Sequence, residues 1–500
     1  MLEKRPEVDW FVFLTTAVVI ALTCVALIVA PDAGARVVDA AFAFITGKLG
    51  ILYVWAGLAT LGFLIWLACG KHGKITLGPA NEAPAYGTAS WAAMLFTAGI
   101  GTSIMHWGTI EWVYYYLTPP FGITPRSEAA LEGATSYGLF HWGISGWAYY
   151  ALPAVALGYA YHVRGAASLR LSTACEPILG RQAHGAAGRI IDIFFMAGLL
   201  GAAGTGIGFT TPLITQSFSV FFGLEESFGM TVVAIGLVVL IFAASVYAGL
   251  EKGIKRLSTL NVGLTLGLLA FMLIAGPTLF ILKTGTNSVG HMLQHYIKMA
   301  TWTDPFTDSQ FVESWTIFYW AWWIALGPLV GLFVAKISRG RTIRELIFGV
   351  LGYGTAGCVL CFSILGNYAL SLELSQALPV VDLLTEQSPA TAIIQVMTSL
   401  PTGRWILPLF FFICLIFAAT SYDSASYVLA AATTRQLGRK EDPARWNRIF
   451  WAFGLGAVPI ALLFLGGLKT LQTASIVASL PLLCISVLLG AALVRSLNRH

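Results

Sequence analysis

Charge is what this sequence has least of. Asp, Glu, Lys and Arg make up 11% of its 500 residues, against 57% hydrophobic, whereas a soluble domain carries about a quarter charged residues. An ordinary soluble enzyme is excluded. Ten-residue segments of alternating polarity are missing too, so the apolar runs read as membrane helices rather than strands of a barrel. No G-x-x-x-x-G-K-[ST] occurs, which leaves ATP drive unsupported. Cysteine is sparse: the seven thiols (24, 69, 175, 358, 361, 414, 484) lie mostly inside apolar runs. No structural disulfide is expected, and Cys358-x-x-Cys361 reads as packing rather than metal or redox chemistry. His106 and His141 alone are too little for a membrane-embedded enzyme, and no charged ring or carbonyl filter marks a channel. Neither an enzyme nor an organic cofactor is expected.

What is there is a succession of spans. Uncharged stretches such as 10–30 and 51–70 reach the roughly 20 residues needed to cross hydrocarbon. Twelve are expected, at 10–30, 51–70, 88–117, 137–162, 190–222, 230–250, 259–282, 314–335, 343–372, 404–434, 447–467 and 471–494. An even count puts both ends on one side. Sorting the 29 Lys and Arg by this scheme leaves only Arg36, Lys48, Arg126, Lys283, Lys298, Arg404 and Lys469 on the opposite side. By the positive-inside rule both termini are cytoplasmic in a multi-pass protein of the cell (inner) membrane. The net charge of +5 is therefore about topology, and no nucleic-acid partner is expected beside the bilayer. The first apolar run lacks a clear cleavage site and reads as a retained helix; the tails, about ten residues each, leave no room for an appended sensor.

Two spans carry helix breakers. Residues 89–117 contain Gly99-Ile100-Gly101, and 314–335 contain Gly327-Pro328. Breaks survive in a bilayer only where they face protein or a wet cavity. With five spans starting at each broken one, the pattern is that of an inverted-repeat transporter. The expected organisation is two peripheral helices (1–85), a first five-helix repeat (86–285), an interfacial linker helix (286–312), and a second repeat with a short tail (313–500). Gly204 and Gly208 form a GxxxG that reads as close helix packing.

Aromatic residues crowd the same regions: Trp107, Trp112 and Tyr114 to Tyr116; Trp142, Trp147, Tyr149 and Tyr150; Trp315, Tyr319, Trp320, Trp322 and Trp323. Trp112, Tyr115, Tyr116 and Tyr149 are expected in a headgroup-level belt. That reading does not cover Trp142, Trp147 and the run Trp320-Ala-Trp322-Trp323, and several π-faces around one cavity suit a cation with no N–H to donate, a quaternary ammonium or sulfonium, at about 2 kcal/mol per desolvated contact.

The run Ser314-Trp-Thr-Ile-Phe-Tyr-Trp-Ala-Trp-Trp323, the basic connection Ile337 to Glu345, and Phe140-His141-Trp142 with Trp147 resemble the betaine/choline/carnitine transporter family along residues 10 to 495. The resemblance implies an all-α LeuT-like fold of twelve transmembrane helices with two inverted five-helix repeats, and a homotrimer. It puts the box for the onium head on Trp142, Trp147, Tyr150 and Trp323, with Trp322 beside it. Tyr114 matches a carnitine-type position, and Trp315 a position near the outer entry path. Leu326 stands where betaine carriers have a further tryptophan, so the chain looks nearer the carnitine-type members. The substrate's carboxylate would meet free amides at the Gly99–Ser103 break, with Gly99 and Gly101 among the binding positions, at the positive end of a half-helix.

Phe417-Ala-Ala-Thr420-Ser421-Tyr-Asp423 resembles the family's sodium motif. The implied ligands are Thr420, Ser421 and the carbonyls of Phe417, Thr97 and Ile100; alternatively the hydroxyls bond their own helix. Lys255 matches the place where sodium-independent exchangers carry an arginine, and Glu111, His141 and Asp423 are intramembrane ionisable groups open to a coupling role. The expectation is sodium-coupled symport of a small zwitterionic onium compound (carnitine, betaine or dimethylsulfoniopropionate), with substrate/product exchange and proton symport as alternatives.

Overall fold

The computed structural model describes residues 7–79, 82–166, 168, 170–247, 251–307, 309–435, 437, 441–465 and 468–499, without the side chains of 102, 245 and 251–255. Among the described residues the chain is helical and has no strand; only isolated bridges occur, such as Thr76 with Thr342. The long helices are α1 (Trp10–Val29), α2 (Pro31–Cys69), α3 (Thr88–Ala98), α4 (Thr102–Leu117), α5 (Glu128–Trp142), α6 (Ile144–Gly158), α7 (Ala186–Phe222), α8 (Phe228–Tyr247), α9 (Glu251–Ala275), α10 (Thr278–Thr301), α11 (Val312–Ile337), α12 (Ile343–Leu374), α13 (Gly403–Ala432), α14 (Arg445–Leu465) and α15 (Leu468–Leu497). Among the described residues, nine are long and apolar enough to cross a membrane: α1, α2, α7, α9, α11, α12, α13, α14 and α15.

The three other expected spans do not form single long helices of that kind. Residues 88–117 divide into α3 and α4 around Gly99–Gly101, as the glycines imply. Residues 137–162 also divide, into α5 and α6, at Gly143 (φ −90°, ψ −144°). A Cβ there would collide with the Leu139 carbonyl. The third, α8, runs into residues outside the description.

The expected break at Gly327-Pro328 is absent, and this corrects the matched-break reading. Pro328 lies inside the continuous Phe318–Ile337 helix. These glycines serve packing instead: a Cβ on Gly327 would stand 2.9 Å from the Tyr149 carbonyl, and one on Gly331 2.8 Å from the Ala154 nitrogen. α11 therefore lies directly on α6, the helix that carries Trp147 and Tyr150. Gly204 and Gly208 act as expected, since a Cβ on either would strike Val458 of α14 (2.6 Å) or Leu471 of α15 (2.7 Å).

Two further expectations change. The linker helix α10 begins at Thr278, ahead of 286, and ends at Thr301. One face buries Ile281, Ser288, Met292 and Met299 while Leu279, Leu282, Leu293 and Ile297 stay exposed, the pattern of a helix lying on a surface. Trp112, Tyr115 and Tyr149 are 4%, 0% and 4% exposed and belong to the packed interior rather than a lipid-facing belt. Aromatic spacing alone does not distinguish the two environments. Tyr116 is more open, and its hydroxyl donates to the Arg126 carbonyl.

Candidate functional site

The break between α3 and α4 opens onto a cavity of about 420 Å³ walled by α3, α4, the end of α5, α6, α7, α9, α11, α12 and α13. Trp142, Trp147, Tyr150, Trp322, Trp323, Gly99, Gly101, Thr97, Ile100, Phe417, Thr420 and Ser421, twelve positions singled out from the sequence, all line it. Among the described residues no charged side chain does.

The rings form one cluster. Trp322 and Trp323 stack at 5.2 Å and 12°, Trp142 meets Trp323 edge-on at 4.9 Å, Tyr150 meets Trp323 at 5.7 Å, and Trp147 meets Tyr150 at 5.3 Å. Three indole N–H groups are taken up in the protein, which leaves the ring faces for the chamber. Trp142 Nε1 donates to Glu111 Oε2 (3.0 Å), Trp322 Nε1 to the Ala202 carbonyl (2.9 Å) and Trp323 Nε1 to the His141 carbonyl (3.0 Å). The last bond exists because the helix stops at Gly143 and frees that carbonyl; Gly146 makes room, a Cβ there falling 2.9 Å from Trp323 Nε1. Trp147 is seated between glycines. A Cβ on Gly99 would lie 3.1 Å from its Cζ2, and one on Gly354, at the end of a π-helical turn in α12, would run into the ring.

At the break, α4 begins at an extended Gly101 (ψ −178°) with no capping side chain. The Ile104 amide donates to the Gly101 carbonyl at 3.2 Å, which leaves the Thr102 and Ser103 amides as the donors at the positive end of the helix, and a Cβ on Gly101 would meet nothing within 4 Å. Across the cavity Thr420 Oγ1 donates to the Phe417 carbonyl at 3.0 Å, so the local hydroxyl-to-backbone bond is formed here. The Cys358 thiol, expected only to pack, donates to the Gly99 carbonyl at 3.5 Å and is part of the chamber wall.

Tyr114 and Trp315 do not line the cavity. They pack on each other at 5.0 Å, and Trp315 packs on Trp107 at 5.7 Å, in a ring layer with Phe209 and Phe318 that caps one side. The cavity instead runs the other way, to Ser258 in the first turns of α9 and Phe333 near Lys336, toward the Lys/Arg-rich ends of the helices.

The ionisable candidates stand behind the wall or away from it. Glu111, 1% exposed, accepts from Tyr115, Tyr319 and Trp142. Because Tyr115 donates to Glu111, its oxygen accepts from His141 Nδ1 (2.9 Å), while His141 Nε2 faces Thr316 Oγ1 at 3.1 Å. Asp423 pairs with Arg448 of α14 at 2.8 Å and does not line the cavity. Lys255 lies in α9, but its side chain is outside the described residues. Sequence reasoning missed Gly354, Gly143 and Gly146, because nothing in a single glycine says which ring it seats; Tyr319 was counted among the aromatic residues without its bond to Glu111.

A ligand-sized chamber of ring faces at a broken helix, inside a bundle of membrane-length helices, defines a carrier of small solutes rather than an enzyme. Residues 11–500 match the family described as BCCT, betaine/carnitine/choline family transporter, and the chain belongs to that family. It is 37% identical over 444 residues to the uncharacterized transporter YeaV of Escherichia coli (strain K12), covering 88% of this chain and 92% of that one. It is 36% identical over 437 residues to a carnitine transporter of Acinetobacter baumannii, covering 87% of this chain and 78% of the relative.

Proposed function

We propose that this protein is a sodium-coupled symporter of a trimethylammonium zwitterion of the carnitine type. One observation carries the reading: Trp142 at the end of α5, Trp147 and Tyr150 of α6, and Trp322 and Trp323 of α11 surround a chamber without a charged side chain among the described residues. A methylated onium head has no N–H for a carboxylate to accept, and ring quadrupoles are the partner left to it, at about 2 kcal/mol per desolvated contact. The ligand's carboxylate meets the Thr102 and Ser103 amides at the uncapped start of α4. The relative named as a carnitine transporter supports this choice of substrate. Twelve spans in two inverted repeats, cytoplasmic termini and a homotrimer complete the reading. The capping ring layer then makes this an inward-facing state.

Sodium takes the oxygens of Thr420, Ser421, Phe417, Thr97 and Ile100, which share the chamber; the Thr420 hydroxyl, which donates its hydrogen to the Phe417 carbonyl, keeps its lone pairs for the ion. Proton symport is the second reading, favoured by the buried Glu111–Tyr115–His141 chain. Uptake of labelled carnitine into proteoliposomes under separate sodium and proton gradients tests both. Sodium-driven accumulation is expected. Equal uptake without sodium overturns the symport, and accumulation driven by protons alone supports the second reading.

A further inference from the structure

A second cavity shares no lining residue with the chamber, and no part of the transport reading uses it. It is a polar cleft of about 610 Å³ lined by Arg164, Glu176, Ile178, Arg495 and Arg499, among others. Arg164 follows the π-helical turn that prolongs α6; Glu176 and Ile178 belong to a short helix in the α6–α7 connection; Arg495 is in the last turn of α15, and Arg499 lies just past it. Three guanidinium groups thus share the lining of one cleft with a single carboxylate. That carboxylate is already shared, since Glu176 pairs with Arg164 through Oε2 and stands 3.6 Å from His184 through Oε1. Among the described residues Arg495 and Arg499 have no carboxylate partner. The negative end of the α15 dipole accounts for Arg495, but not for Arg499 beyond the helix or for the cleft itself.

We propose that this cleft binds the phosphoryl headgroup of an anionic lipid. Guanidinium groups recognise phosphate oxygens through paired N–H donors. The cleft sits at the end of a membrane-length helix, on the face where the basic residues collect, which is the level of a lipid phosphodiester. Its volume exceeds the needs of a bare phosphate and leaves room for a glycerol moiety, and the half-exposed Ile178, with Val163 and Pro177, gives an apolar lip for acyl chains. Bound there, the lipid ties the end of α15 to the connection leaving α6, the helix that carries Trp147 and Tyr150.

The test uses the purified full-length protein in detergent, with dioctanoylphosphatidylglycerol, dioctanoylphosphatidylcholine or inorganic phosphate as probe, read by thermal shift and by native mass spectrometry. The anionic lipid is expected to raise Tm and give a one-lipid adduct. Arg495→Gln with Arg499→Gln is expected to weaken that binding on the order of 30-fold, from about 1 kcal/mol per arginine near an anionic head. Arg181→Gln, outside the lining, is expected to change nothing. An equal shift with phosphatidylcholine, or an undiminished shift in the double variant, overturns the site. A full shift with inorganic phosphate alone overturns the lipid assignment. The double variant's own Tm without lipid, expected to match the wild type, reports folding; a lowered Tm with lipid binding retained also overturns the proposal.

Discussion

Gly354→Ala adds one methyl group at a position that never touches a ligand, yet it is expected to disable the chamber. The new Cβ would stand 2.5 Å from Cε2 and Cε3 of Trp147, with Cδ2 as close. These are atoms of a rigid indole, not the end of a flexible chain, so one of the two groups must move. Gly99, whose own Cβ position is 3.1 Å from Trp147 Cζ2, confines the ring further. Overpacking of this kind costs about 1–3 kcal/mol. If the strain is relieved by displacing Trp147 into the chamber, affinity falls by a similar amount, about 5- to 150-fold. Gly352 supplies the control. It lies in the same π-helical turn, and a Cβ there meets nothing within 4 Å. Carnitine titrated against tryptophan fluorescence gives Kd for both variants, and a thermal melt monitors folding. Binding unchanged in Gly354→Ala, or weakened equally in Gly352→Ala, would refute the seating of Trp147 by Gly354.

Trp323→Leu is expected to weaken carnitine binding by about 30-fold, from one desolvated cation–π contact, whereas Trp112→Leu, buried outside the lining, lowers Tm and leaves Kd near wild type; equal Kd values would show that Trp323 is only packing. Glu111→Gln puts an amide nitrogen where one oxygen now accepts from ring donors, at about 1.5–3 kcal/mol per bond to a charged group. A lower Tm together with a raised Kd is expected, and a melt and titration identical to wild type would remove Glu111 as the group that orients Trp142. Thr420→Ala with Ser421→Ala is expected to abolish the stimulation of uptake by sodium while basal binding of carnitine survives; persistent stimulation would exclude these hydroxyls as ligands.

Composition and the length of the apolar runs sufficed for a helical membrane protein, because hydrocarbon permits few other answers. The break at 99–101 was legible for the same reason: two glycines flanking one residue inside a long span have no packing use that a single glycine would not serve. Gly327-Pro328 misled because a proline in a helix and a glycine at a helix crossing leave one signature, and only the proximity of the Tyr149 carbonyl distinguishes them. Gly143 has no such neighbour in sequence, and its break emerges only where the freed His141 carbonyl meets Trp323. The aromatic side chains that line the chamber were recognisable as a set. The residues that hold them, Glu111, Gly146 and Gly354, depend on contacts between helices far apart in the chain. Tyr114 and Trp315 share the composition of the lining aromatics but lie one layer beyond it.

Recognition of a cation by ring faces is tested most directly by comparing carnitine with its carbon isostere, in which C(CH3)3 replaces the trimethylammonium group and size and carboxylate are kept. The two ligands bury similar apolar area, so the hydrophobic effect alone gives similar Kd values. Cation–π binding by several rings predicts at least about 30-fold weaker binding of the isostere. Equal affinity for both would contradict the assignment of the aromatic chamber to an onium head.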